Sequence, residues 1–240
     1  MALKYKAMLE NLLLGQSLGD PLFNPLKYAI RAAYYSEVSL ETIVLLLLLP
    51  LVTLIIAAFR HLMGLRGFGI FLPASLAVVF LAIGPTLGLG LFLVIVLAST
   101  FFRTTLRKLK IKLAYLPRMS LILWAVTLCV FAALFGAHFI STLGVSGVSI
   151  FPILILILLA EEFTRVQLGK SAEVAMTLTG ETLVLGLVSW AVLALPQVQS
   201  FALLNPETTL LSVLALDLFL GRYTGLRLAE LWRFRKLLRK

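Results

Sequence analysis

The sequence predicts an all-α, polytopic membrane protein, a bundle of about seven transmembrane helices with its N-terminus outside and its C-terminus in the cytoplasm. Three observations carry that prediction. Of 240 residues, 61% are hydrophobic and only 13% are charged, with a mean hydropathy of +1.05, whereas a soluble domain wraps its core in a surface about a quarter charged. Seven apolar runs are long enough to cross roughly 30 Å of hydrocarbon as helices. The 21 Lys and Arg residues fall mostly on one side once those runs are threaded through a bilayer.

The chain reads as three segments: 1–38, 39–226 and 227–240. In the first, Glu10 and Asn11 interrupt a short apolar stretch, which argues against a secretory signal. Lys4 to Leu14 and Pro25 to Tyr35 each carry an amphipathic helical pattern, with Tyr28, Tyr34 and Tyr35 suited to the headgroup layer. Gly15, Gly19-Asp20-Pro21 and Pro25 punctuate them. This segment is expected to lie at the membrane interface.

The seven runs are 41–59, 67–84, 86–102, 117–139, 148–163, 176–196 and 208–222. Pro50 lies inside the first, where it predicts a kink rather than an end, because neighbouring helices can satisfy the carbonyl it frees. Gly84-Pro85 makes the second and third a tight hairpin. Gly84, Gly88 and Gly90, and separately Gly144 and Gly147, mark places where helices are expected to approach closely. The seventh run is the weakest, interrupted by Asp217 and closed by Arg222. The last segment, 227–240, is a basic amphipathic stretch expected to lie along the inner leaflet with Trp232 and Phe234 as anchors.

Direction follows from the basic residues. Four of the 21, Lys4, Lys6, Lys27 and Arg31, precede the first run, and the other 17 fall in the connections after runs one, three and five and in the tail. The positive-inside rule places that richer face in the cytoplasm. The same distribution accounts for the net charge of +10 without nucleic acid, which is not expected as a partner. Membrane lipids are. Cys129 is the sole cysteine and only His61 and His138 accompany it, so neither a disulfide framework nor a Cys/His metal site is expected.

Charges inside apolar runs cost several kcal/mol unless paired, hydrated or neutralised. Counting from the cytoplasmic ends places Glu181 about 8 Å into the sixth run at the helical rise. Asp217 lies in the cytoplasmic half of the seventh. Arg60, His61, Glu161, Glu162, Arg165, Glu181, Asp217, Arg222, Tyr223 and Arg227 then share one depth band, while His138 stands near the outer face. A cytoplasm-facing polar cavity is the functional reading of that band, with the acids binding or protonating a ligand and Arg60 and Arg222 as their partners. A structural charge network pinning the ends of runs one, five, six and seven is the alternative. Successive residues of a helix are about 100° apart, so Glu161 and Glu162 cannot share one face. Either is spaced to pair with Arg165, leaving the other as the cavity acid.

Enzyme motifs are absent. Leu168-Gly169-Lys170-Ser171 imitates the end of a phosphate loop, but Thr164 stands where that loop needs Gly and no strand precedes it. No nucleophile elbow, zinc-protease motif or dinucleotide fingerprint occurs, and no cofactor is expected.

Three stretches resemble a known family. They are Gly221-Arg222-Tyr223-Thr224-Gly225-Leu226-Arg227 with Glu230-Leu231-Trp232-Arg233-Phe234-Arg235, Arg60 with Gly67-Phe68-Gly69-Ile70-Phe71-Leu72-Pro73, and Ala160-Glu161-Glu162-Phe163-Thr164-Arg165. Together they are similar to the bacterial seven-transmembrane domain usually fused to an inactive transglutaminase-like domain, over residues 40–235. The resemblance implies a seven-helix protein of the inner membrane, associated with ATP-grasp ligases that join amino acids or peptides. It marks Arg60, Glu162, Arg165, Arg222, Tyr223, Thr224 and Arg227, residues of or beside the polar band. The 38 residues of the first segment are too few for a transglutaminase-like domain, so the chain is expected to be a stand-alone member or a piece of the fused form.

The leading expectation is a non-enzymatic membrane component that anchors an ATP-grasp ligase, or exchanges substrate with it and moves a small peptide-like or lipid-linked product. A membrane-embedded enzyme using Glu162 or Glu181 as general acid/base and a seven-helix receptor are the alternatives.

Overall fold

The computed structural model describes residues 2–109, 114–139, 150–169 and 172–223. Among them the regular structure is helical: α1 (Ala2–Gly15), α2 (Pro25–Tyr35), α3 (Leu40–Ala58) running into a π turn (Phe59–Met63), α4 (Phe71–Ile83), α5 (Pro85–Lys108), α6 (Tyr115–Phe139), α7 (Ile150–Gly169), α8 (Ala172–Leu193), α9 (Pro196–Leu204) and α10 (Pro206–Arg222). The chain divides into two compact units, Met1–Leu65 with Ala191–Lys240, and Arg66–Trp190.

In the first unit α3 starts where the Ser39 hydroxyl accepts the Thr42 N–H at 3.3 Å, an N-cap. Leu40, Val44, Leu47 and Leu48, spaced at helical period, are buried, and α3 packs on α10, α9 and α1. The helix continues on both sides of Pro50. α1 buries Leu9 and Leu13. The Arg31 guanidinium donates to the Leu13 carbonyl in the last turn of α1, at 2.6 Å, and to the Gln16 carbonyl just past its end, at 2.9 Å.

Two contacts set the direction of α10. At its start, Glu207 Oε1 accepts the N–H groups of Leu26 at 2.9 Å and Lys27 at 3.1 Å, capping α2 from another helix. The far end of α2 leads through residues 36–39 into α3. Just beyond the other ends, His61 Nε2 bonds the Tyr223 carbonyl at 2.8 Å. Helices α3 and α10 therefore run parallel. Ahead of α10, the short helix α9 meets it at 107°. The cause is local, because a residue before proline is driven out of the α region, and Asn205 sits before Pro206 at φ −130°, ψ 63°.

The second unit is built on α5, which packs on α4, α6 and α7. Its core includes Leu76, Phe80, Leu91, Ile95, Ile122, Val126 and Leu156. The α4–α5 hairpin turns at Gly84, whose φ of +85° favours glycine ahead of a proline. Gly88 allows α5 to lie against the Phe80 ring, since a Cβ there would stand 2.6 Å from Phe80 Cδ1. Gly90, predicted to share that role, faces open space, and Gly144 and Gly147 lie outside the described residues.

Each of the seven apolar runs falls on a helix, α3 to α8 and α10. Among the described residues, four helical stretches are long and apolar enough to cross a membrane: Leu40–Met63, Pro85–Lys108, Tyr115–Gly136 and Glu173–Leu193; the bent α9–α10 pair makes a fifth if counted as one. The second run departs most from expectation. Its helix begins at Phe71 instead of residue 67, and its 13 residues rise only about 20 Å. The preceding residues are not helical because Gly64 at φ +84° ends the π turn and Gly69 at φ +40° keeps the chain out of the α region. The sixth run is shifted, ending at Leu193 where 196 was expected, and Pro196 opens α9 instead.

Candidate functional site

The break at residues 64–70 organises the polar groups of the second unit. Three successive N–H groups there lack helical partners, and two side chains of α8 take them. Glu181 Oε2 accepts from Arg66 N at 2.6 Å and Gly67 N at 3.0 Å, and Thr182 Oγ1 accepts from Phe68 N at 2.7 Å. Thr182 is 0% exposed, and its hydroxyl donates to the Leu178 carbonyl at 2.7 Å, so both of its capacities are used. Gly67 eases the approach: a Cβ there would stand 3.1 Å from Leu185 Cδ1 and 3.3 Å from Thr182 Oγ1, closer than ordinary contact.

The polar end of α7 reaches the same segment. The Phe68 ring packs edge-on against Phe163, centroids 6.1 Å apart, inside the Ala160 to Arg165 stretch. On the neighbouring turns Arg165 Nη2 donates to Glu161 Oε1 at 3.2 Å, an i,i+4 pair with side chains 53% and 38% exposed. At that exposure the pair is worth a few tenths of a kcal/mol. Thr164 beside them is buried. Glu162 lies in α7, but its side chain, like that of His138, is outside those described.

The remaining predicted residues belong to the first unit. Arg60 and His61 lie in the π turn that ends α3, and the His61 ring meets Tyr223 edge-on at 5.9 Å. Asp217 and Arg222 are exposed on α10. Thr224 and Arg227 lie outside the described residues. The structure thus brings Glu181 to the 64–70 break beside α7, and joins His61 to Tyr223. The described residues hold no group of three His, Cys, Asp or Glu side chains able to bind a metal.

Sequence reasoning missed Thr182 and the backbone as Glu181's partner, and gave Gly67 no role beyond its place in a family stretch. The signal was available in part, since Gly64, Gly67 and Gly69 within six residues advertise a chain break. No such signal named the acceptors, because a depth count pairs charges with charges and does not see unsatisfied N–H groups.

Chemically, the break is irregular backbone within an apolar protein, tolerated only where its polar groups are satisfied. A carboxylate and a hydroxyl on a facing helix take three of these N–H groups.

No curated protein and no solved structure matches the chain. One family model does match, described as seven transmembrane helices usually fused to an inactive transglutaminase, and it covers residues 35–238. That span takes in every apolar helix from α3 to α10, and the chain therefore belongs to this family of multi-pass membrane proteins.

Proposed function

We propose that this protein is a non-enzymatic component of the bacterial inner membrane, its polar band facing the cytoplasm as a cavity where a small peptide-like or lipid-linked molecule is exchanged with an ATP-grasp ligase. The observation that carries the reading is the Glu181-held break. Non-helical backbone between two apolar helices, its N–H groups held by polar side chains of a facing helix, is tolerated in a membrane protein where it is buried in protein or lines a water-filled cavity. The inactive enzyme to which the family is usually fused supports a role in binding or scaffolding over catalysis.

Two further points support the topology. Parallel α3 and α10 cross the membrane in the same direction, which requires an odd number of crossings from one to the other, as seven provides. The basic surplus supports a cytoplasmic position for Arg60, His61, Glu161, Glu162, Arg165, Glu181, Asp217, Arg222, Tyr223, Thr224 and Arg227. The ligase is assigned by the family resemblance alone.

The test separates docking from exchange. The 240-residue chain and a chain lacking residues 227–240 are purified from native membranes and bound proteins identified. Recovery of an ATP-grasp protein with the full chain, and its loss with the shortened one, is expected. Glu181→Gln should leave recruitment intact while abolishing uptake of the ligase product into vesicles. An ATP-grasp protein absent from both preparations, or uptake unchanged in Glu181→Gln, overturns the respective half.

A further inference from the structure

The turn between α1 and α2 offers a second surface, independent of the cavity. Residues 20–24 are held by Phe23 N to Asp20 O at 3.2 Å, Asn24 N to Asp20 O at 3.1 Å and the Tyr28 hydroxyl to Gly19 O at 2.8 Å. Gly19, at φ +65°, allows the entry. What this well-bonded turn presents is apolar: Leu22 is 86% exposed and Phe23 76%. Two large apolar side chains on a fixed tip are costly to keep in water.

The position of the turn identifies what covers it. Its exit, Pro25 to Lys27, is tied to the first turn of α10 through Glu207, and α2 then runs to the start of α3. Because α3 and α10 are parallel, α2 lies along one end of that pair, where hydrocarbon gives way to headgroups. On the helices themselves, Leu46 and Leu49 of α3 and Leu211 of α10 are likewise exposed apolar side chains. Lys27 and Tyr28 follow within the next turn, suited to phosphate and glycerol levels.

We infer that the Pro21 to Phe23 turn is a membrane wedge: Leu22 and Phe23 insert into the acyl chains of the leaflet at the start of α3, and fix α1 and α2 flat on that surface.

The single cysteine makes the test direct. In a Cys129→Ala background reconstituted in phosphatidylcholine and phosphatidylglycerol vesicles, spin labels are placed by Ser17→Cys, Leu22→Cys and Phe23→Cys, and their collisions with oxygen and with a water-soluble nickel chelate are measured. Labels at 22 and 23 should collide more with oxygen than with nickel, and the label at 17 more with nickel. Nickel dominance at 22 and 23 overturns the wedge, as does shielding from both reagents, which would mean a protein partner covers the turn. A variant that fails to reconstitute is replaced by quenching of Phe23→Trp with acyl-chain brominated lipid in a Trp124→Phe, Trp190→Phe, Trp232→Phe background, where absence of quenching overturns it equally.

Discussion

Thr182→Val is expected to destabilise the protein by about 1–3 kcal/mol, the cost of leaving a buried donor unsatisfied. Valine has nearly the shape of threonine and fills the same space, so packing alone predicts little change. The loss comes from Phe68 N, whose acceptor at 2.7 Å is the Thr182 hydroxyl at a site 0% exposed. Thr182→Ser, which keeps the hydroxyl and drops a methyl, should cost less, about 1 kcal/mol or below. Unfolding in detergent micelles checks the order, and exchange of the Phe68 amide should quicken in the valine variant alone. If serine proves the more damaging, the site is simple packing and the hydrogen bond is unimportant.

Gly88→Ala is the second large effect. Alanine at a helical position normally gains up to about 1 kcal/mol over glycine, so the substitution would help were space available. It is not. The new Cβ would stand 2.6 Å from Phe80 Cδ1 and 3.0 Å from Cε1, and Phe80 is 0% exposed, enclosed by the core of its unit. Overpacking at such a site costs about 1–3 kcal/mol and outweighs the helical gain. Gly90→Ala is the internal control: nothing lies within 4 Å of its Cβ, and it should be neutral or slightly stabilising. Phe80→Leu combined with Gly88→Ala should recover part of the loss, and additive damage would show that the ring is not the obstacle.

Hydropathy made the helices legible because burying backbone in lipid demands helix over any long apolar run. It put α2 at Pro25–Tyr35, where proline at the first helical position and amphipathic spacing agree. It failed at residues 67–70, since Gly-Phe-Gly-Ile counts as apolar while its glycines permit a conformation that a hydropathy sum does not register. It missed α9 for a related reason. Pro196 and Pro206 are each first helical residues, but between two apolar runs they read as a connection.

Among site residues, spacing alone anticipated an acid paired with Arg165, and Glu161 is seen to pair with it. Glu181 was found because a carboxylate in an apolar run needs an explanation. Its explanation was different in kind from a charged partner, being two backbone N–H groups exposed by a chain break 114 and 115 residues earlier. The contact between His61 and Tyr223 depends on parallel α3 and α10, a tertiary fact with no local signature.

A cytoplasm-facing polar cavity, as proposed, requires the break after α3, the polar end of α7 and the end of α10 on the cytoplasmic side of the membrane. In a Cys129→Ala background, single cysteines introduced by Arg66→Cys, Arg165→Cys and Arg222→Cys should resist a membrane-impermeant maleimide in intact cells with the outer membrane opened, and react once the inner membrane is permeabilised. Glu37→Cys, between α2 and α3, should react without permeabilisation. Labelling of position 66, 165 or 222 from outside would place the polar residues on opposite sides of the bilayer and contradict a shared cytoplasmic site.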